Sequence, residues 1–459
     1  MTASVVVVGA GVAGLATAHR LLAIDPSLKV EILEAAPAAG GRLVTAEVGD
    51  LEVEAGPDSF VARKPWAVEL CRELGLELVE PGARGAFAWT QRGLVPLPRS
   101  ALGVPTELDD LLRWPGISRA GRRRALLDLV RRPRRGGDET LGALLRRRLG
   151  DEATEMLVAP LLGGLFAGDV DRLSVAATFP ELAGWERDFN SLIRGARAAS
   201  ESGRSAGPMF LRPKGGVSRL PAALVEALGY ERLYTSTRAT HLGREGDGFV
   251  VWTDGAEHAA DAVVLAAPAF VAADLVRGIA GDAADALAAI AYVSTGVVLL
   301  AFPDGTAEAL PEATGFVVPT GRAPMTAGTF LSRKWPEPAF GDRAVLRCFV
   351  GAAGSEDLLE ASDRDIVEAV CRHLAAVLSL PERPSASRVV RWPRSMPQYE
   401  LGHLERVEEI REALPRGIFV VGNAYEGVGI ADAVRSSNRA AEQVRAHLAD
   451  EPVGTERVG

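Results

Sequence analysis

Val5, Val6, Val7 and Val8 form an apolar run without alternation, the pattern of a parallel strand covered on both faces. Leu15, Ala18 and Leu22 then recur at helical spacing, and residues 29–33, KVEIL, predict a second strand. The chain therefore opens as a strand, a helix and a strand. A hairpin comes next, turning at Gly49 and Asp50. Leu126, Leu127, Val130, Leu141, Leu144 and Leu145 predict amphipathic helices broken around residues 133–137. Residues 220–228 repeat as a helix. Residues 236–242 and 248–253 predict strands about a Gly246-Asp247-Gly248 turn, Asp254-Gly255 marks a second hairpin, and DAVVLAAP at 261–268 is a buried strand stopped by a proline. Between 291 and 392, alternation in VVLLAF, TGFVVP, AVLRCFVG and RVVRW predicts a second, largely antiparallel sheet. Residues 418–421 give a last strand, succeeded by a helix from about Ala431.

Glycine placement turns the opening unit into a binding motif. Gly9, Gly11 and Gly14 come after the first strand with G-x-G-x-x-G spacing: one glycine for the tight turn, one so that backbone can approach a pyrophosphate, one for close packing of helix on strand. Glu34 closes the second strand 20 residues past Gly14, where a carboxylate accepts from ribose hydroxyls and repels a 2′-phosphate. Gly40, Gly41 and Arg42 come just after, bringing backbone amides and a cation back under the pyrophosphate, which suits FAD better than NAD. Gly427, Val428 and Gly429 open the last helix. Its N-terminus can stabilise the negative charge of a reduced flavin by up to about 2 kcal/mol.

Composition narrows the class. A chain of 459 residues allows two or three domains with sizeable cores. A hydrophobic share of 47% beside a charged share of 24% is ordinary for a soluble protein, and a net charge of −9 gives no reason to expect a nucleic-acid partner. Cys71, Cys348 and Cys371 are widely spaced and fit a reducing cytoplasm as small buried hydrophobes. No charged segment precedes the first strand, so no signal peptide is expected, and acids interrupt every long apolar run, so no membrane span is expected. The six histidines show no metal-ligand spacing and no metal is expected. Residues 113–148 depart from the rest: twelve arginines against Asp128, Asp138 and Glu139 leave a local balance of +9. Such a face can steer a polyanionic substrate or an acidic partner enzyme, rest peripherally on anionic headgroups, or simply be solvated.

Five stretches carry a resemblance: EAAPAAGGR (34–42), EAGPDSFVARKPW (54–66), LLGGLFAGDVDRLSVAATFP (161–180), SMPQYELGH (395–403) and GNAYEGVGIADAVRS (422–436). The chain resembles the flavin amine oxidase superfamily and, within it, the FAD-dependent porphyrinogen oxidases of haem biosynthesis. The resemblance implies an α/β fold: a discontinuous Rossmann-like FAD-binding domain of 1–62, 206–275 and 413–450, an antiparallel-sheet substrate-binding domain of 63–100 and 276–412, a helical insertion domain of 101–205, and a tail of 451–459. The residues expected on FAD are Gly9, Ala10, Gly11, Val12, Ala13 and Gly14, then Glu34, Ala35, Gly41 and Arg42. Gly56, Pro57, Asp58 and Ser59 are expected alongside the isoalloxazine ring with Trp392, and Ala239 over the adenine. Gly422, Asn423, Val428, Gly429 and Ile430 are expected at the far end of the cofactor. Arg63 and Lys64 would face the substrate and hold its propionates; solvated side chains and, for Trp392, a core role are the alternatives.

The resemblance implies flavin chemistry without a catalytic protein residue: hydride leaves a bridging carbon of the porphyrinogen, a pyrrole proton goes to solvent or a propionate, molecular oxygen is reduced to peroxide, and three rounds aromatise the macrocycle. The expected substrate is coproporphyrinogen III. Protoporphyrinogen IX is the alternative, weakened because Ala86 stands where some protoporphyrinogen oxidases place a propionate-binding arginine. An amine oxidase would need an aromatic cage, for which 6% aromatic residues offer little, and a flavin-bound tetrapyrrole carrier would make no peroxide.

Overall fold

The computed structural model describes residues 2–134, 136–203 and 208–449; the expected tail at 451–459 lies outside them. The valine run is β1 (Ser4–Val8), the middle of a five-stranded parallel sheet. It pairs on one side with β2 (Lys29–Leu33), which pairs with the short β3 (Leu233–Tyr234). On its other side lie β4 (Ala262–Leu265) and then β5 (Ile418–Val420). Val5 and Val7 face α1 (Val12–Ile24) and α2 (Ile430–Leu448) in one core. Val6 and Val8 face the helices Ala269–Val276 and Gly281–Ala288 in a second core. Burial on both faces is why these strands carry no polar alternation. In α1 the third apolar position is Leu21, fully buried, whereas Leu22 is half-buried, a one-residue shift from the expected stripe.

The strand expected at 236–242 is instead Ala239–Glu245. Ser236 adopts a left-handed backbone, φ +51°, and the amides of Ser236 and Thr237 donate to the carbonyls of Ala36 and Glu34 at 2.8 Å each. Those bonds clamp the chain to the end of β2 before the meander Ala239–Glu245, Gly248–Thr253, Glu257–Ala260 can begin.

The second sheet has seven strands in the spatial order Ala386–Pro397, Tyr292–Asp304, Arg343–Val350, Ala327–Phe330, Gly315–Val317, Phe87–Thr90, Gly93–Pro96. All neighbours are antiparallel except Gly315–Val317 with Phe87–Thr90. The last two strands come from a segment whose pattern does not mark them.

Helices between residues 108 and 203 pack a separate core around Leu141, Leu144, Leu145, Leu157, Phe166, Leu182 and Leu192. Much of the arginine-rich segment is structural here, with counter-charges drawn from within it and from beyond it. Arg147 pairs with Glu139 and Glu186 at 2.5 Å each. Arg124 donates to the carbonyls of Arg146, Arg147 and Arg148 at 2.7, 3.0 and 3.2 Å, satisfying the open end of the helix Leu141–Leu149. Arg148 is fully buried; it donates to the Asp128 carboxylate at 2.5 Å and to the Asp128, Asn190 and Arg131 carbonyls. Asp128 in turn accepts from Ser191 Oγ and from the amides of Leu192 and Ile193, capping the helix Leu192–Gly203. Arg113, Arg119, Arg123, Arg131, Arg132 and Arg134 are exposed.

Removing one partner of a buried ion pair strands the other, so Arg148→Met is expected to cost about 3 kcal/mol or more. Denaturant unfolding of Arg148→Met, Asp128→Asn and the double variant checks this; the double should lose clearly less than the two singles together.

Candidate functional site

Two helices of the parallel sheet start at its carboxyl edge, and neither start is capped by a side chain. Gly11 precedes α1 and Gly429 precedes α2. Their first-turn amides are left for a ligand, and both dipoles favour an anion. Gly9 takes φ +108° and donates to the Leu33 carbonyl at 2.8 Å. A Cβ at Gly14 would lie 1.9 Å from the Gly9 carbonyl oxygen, so α1 sits directly on the end of β1. A Cβ at Gly11 would meet nothing within 4 Å. The protein thus leaves room at Gly11 and none at Gly14, as a dinucleotide cradle requires. Gly41 closes the first turn from outside, with its own would-be Cβ 3.1 Å from Gly11 Cα.

Glu34 lies beside this turn, held by its backbone: the Ala10 amide donates to Oε2 at 2.7 Å and the Ala36 amide to Oε1 at 2.8 Å. Each oxygen keeps a lone pair for a ribose hydroxyl. Ala35 is exposed next to it, and Ala239 is half-buried at the start of its strand. Because Glu34 is on the β2 side and α2 comes after β5, a dinucleotide on α1 would have its adenosine over β2 and its other end toward α2. At that end Gly422 takes φ +116°, its would-be Cβ 3.8 Å from Ala13 Cβ, and Val428, Gly429 and Ile430 lead into α2.

The expected ring-lining segment is held from behind. Asp58 is buried while Pro57 beside it is exposed. The Asp58 carboxylate accepts from Lys334 Nζ at 2.9 and 3.1 Å and from Trp335 Nε1 at 3.2 Å, and pairs with Arg347 at 3.1 Å. Arg347 also donates to the Gly56 carbonyl, and Ser59 Oγ to Asp58. Burial alone would raise Asp58; Arg347 and Lys334 outweigh it and hold the carboxyl far below the usual range. Glu54, paired with Arg212 at 3.5 Å, is pushed up by burial. Asp58 therefore anchors the segment through its side chain, and what the segment can offer a ring is backbone and Pro57.

Three of the expected site side chains are engaged by partners within the protein. Lys64 is not a free cation: Nζ lies 2.7 Å from both oxygens of Asp432, in the first turn of α2. Arg42, its charge disfavoured by burial, donates to the Ser395 carbonyl. Trp392 is half-buried, with Nε1 on the Ala55 carbonyl at 3.2 Å. Arg63 is exposed.

Tyr399 carries no signal of its own in the sequence, although it sits within one of the resemblance stretches. Its hydroxyl donates to the Asn423 carbonyl at 2.7 Å and accepts the Gly427 amide at 2.8 Å, fixing the loop between β5 and α2. His403 stacks on it at 3.9 Å and 14°, and donates through Nε2 to the Tyr425 carbonyl at 3.1 Å. Nδ1 of His403 is buried without a partner among the described residues. A second proton there would be unpaired, and burial lowers this histidine to about 4.

The model of the flavin containing amine oxidoreductase family matches residues 12–445. The chain is 33% identical over 464 residues to the coproporphyrinogen III oxidase of Bacillus subtilis (strain 168), covering 97% of this chain and 98% of that one. It is 30% identical to the chloroplastic protoporphyrinogen oxidase of Oryza sativa subsp. japonica, covering 98% and 89%. A solved structure from Exiguobacterium sp. 255-15, described as a protoporphyrinogen oxidase, superposes with a TM-score of 0.86 at 31% identity, covering 98% and 99%.

His403 makes the loop acid-sensitive. The unfolded chain binds the proton from pH 6.5 downward and the folded chain only near pH 4, so stability is full above pH 6.5 and falls as the pH drops through that window, by about 3 kcal/mol from this one group. Unfolding curves of the protein and of His403→Gln between pH 7 and 4 should differ by that slope.

Proposed function

This chain belongs to the flavin-containing amine oxidoreductase family, and from that premise we propose that it is an FAD enzyme oxidising coproporphyrinogen III to coproporphyrin III, with molecular oxygen as acceptor and peroxide as by-product. The protein is an oxidoreductase whose relatives match it end to end. One observation carries the cofactor assignment: two uncapped helix starts share one sheet edge, with Glu34 fixed on the β2 side. That arrangement fits a ligand longer than a mononucleotide. FAD bound there supplies the two-electron acceptor.

The residues divide the work along the cradle. The first turn of α1, Gly9 to Gly14, takes the pyrophosphate, with Gly41 closing over it. Glu34 takes the ribose, and Ala35 and Ala239 flank the adenine. Gly56, Pro57 and Trp392 border the ring, Asp58 and Ser59 hold that border in place, and Gly422, Asn423, Val428, Gly429 and Ile430 place the α2 dipole where negative charge gathers on reduction. Arg42 steadies the edge by joining the cradle loop to the Ala386–Pro397 strand. The second sheet walls the side on which a flat macrocycle would lie, and Arg63 is the exposed cation available to a propionate.

Protoporphyrinogen IX remains the second reading of the substrate, favoured by the rice relative and the Exiguobacterium structure. No helix among the described residues is long and apolar enough to cross a membrane. A peripheral contact with anionic lipid or an acidic partner enzyme would use Arg119, Arg123 and Arg132, arginines left exposed in the basic segment.

Two measurements test these assignments. Gly11→Ala places a methyl in open space on a backbone of φ −71°, so its melting temperature without added FAD should match the parent while FAD affinity drops at least tenfold. Aerobic turnover of each porphyrinogen, monitored by porphyrin fluorescence and peroxide, should favour coproporphyrinogen III and release about three peroxides per macrocycle, one for each two-electron round. A ratio of one would overturn the three-round scheme.

A further inference from the structure

Lys64 and Asp432 meet where the far end of the cradle is read to lie. Asp432 is the third residue of α2 and only 6% exposed. Its carboxylate folds back over the glycine turn that opens the helix: a Cβ at Gly427 would come within 2.6 Å of Asp432 Cγ, and one at Gly429 within 3.0 Å of Oδ2. A negative charge therefore stands at the positive end of the α2 dipole. Lys64, which immediately precedes the helix Pro65–Glu73, reaches across to both carboxylate oxygens at 2.7 Å. The other neighbouring cation, Arg435, is 3.7 Å away, lies over Trp66 and donates to the Glu426 carbonyl at 2.9 Å.

A carboxylate in the first turn suits an empty helix but opposes a second anion placed there. We infer that Lys64 is a positioning residue that neutralises Asp432, so that the start of α2 keeps its positive field for the charge a flavin gains on reduction. Its ammonium is committed to this pair and does not serve as a propionate ligand. The inference rests on the FAD assignment above and adds what sets the reduction potential at that end of the site.

The net charge of the pair gives the test a sign. Lys64→Met makes the net charge of the pair −1, Asp432→Asn makes it +1, and the double variant leaves it at zero. Spectroelectrochemical titration of the FAD-loaded proteins should show Lys64→Met shifted about tenfold toward oxidised flavin at fixed poise, about 30 mV lower for a two-electron couple. Asp432→Asn should shift the opposite way, and the double variant should return toward the parent. Merely structural damage would not produce opposite signs, and Asp432→Asn keeps the test alive if Lys64→Met does not fold. An unchanged potential in Lys64→Met with a raised KM for porphyrinogen would overturn the inference and return Lys64 to the propionates. Loss of flavin absorption from the parent protein would instead overturn the FAD assignment, and is read before any variant is made.

Discussion

A parallel strand buried on both faces must be covered by helices on both sides, and a helix that comes after such a strand begins at the strand's carboxyl end. This constraint places the starts of α1 and α2 side by side, although they come from opposite ends of the chain. Everything in the candidate site is arranged around those two starts. Gly14 lets α1 sit on the end of β1, Gly11 leaves room above it, and Tyr399 ties down the loop that delivers α2. The long excursions between the strands become the second sheet and the helical module. They leave the parallel sheet intact, because one returns as the edge strand β3 and the other as the opposite edge strand β5.

Carboxylates near the cradle could cancel the field of the helix starts, and each is engaged by a partner. Glu34 is held by two amides, Asp58 by Lys334, Arg347 and Trp335, Glu54 by Arg212 and the Val217 amide, Asp432 by Lys64. Burying such groups is unfavourable, and pairing offsets that only when geometry is good. The result is that the loops around the site have their shape before any ligand arrives. In the helical module the same chemistry serves stability alone: Arg124 finishes one helix, and Arg148 with Asp128 joins that helix to the start of another. Within a strongly basic stretch of sequence, Arg148 is thereby buried and Arg124, Arg146 and Arg147 are half-buried, while other arginines stay exposed.

Local signals were legible in the sequence because they depend on near neighbours. The valine run, the glycine spacing, the KVEIL strand and the Gly49-Asp50 turn all formed as their periods and turn residues dictate. The alternation after residue 291 did become an antiparallel sheet. Short pieces were harder: the Phe87–Thr90 and Gly93–Pro96 strands are too brief to show a period, and Ser236 departs from its predicted strand because bonds to the end of β2 outweigh local preference. Among site residues, the glycines and Glu34 could be read from spacing, whereas Tyr399 and His403 could not, since nothing near them in the chain announces a loop more than twenty residues away.

The sequence by itself determined the strand, turn and helix that make a cradle, since backbone sterics and hydrophobic period act within a few residues. Tertiary structure alone decided which charges meet. Lys64 reads as a free cation until the fold brings Asp432, 368 positions away, to 2.7 Å, and Arg147 and Arg148 read as surface until Glu186 and Asp128 close on them. A charged side chain pairs with whatever the fold places within a few ångströms, and that choice is written in no single stretch of the chain.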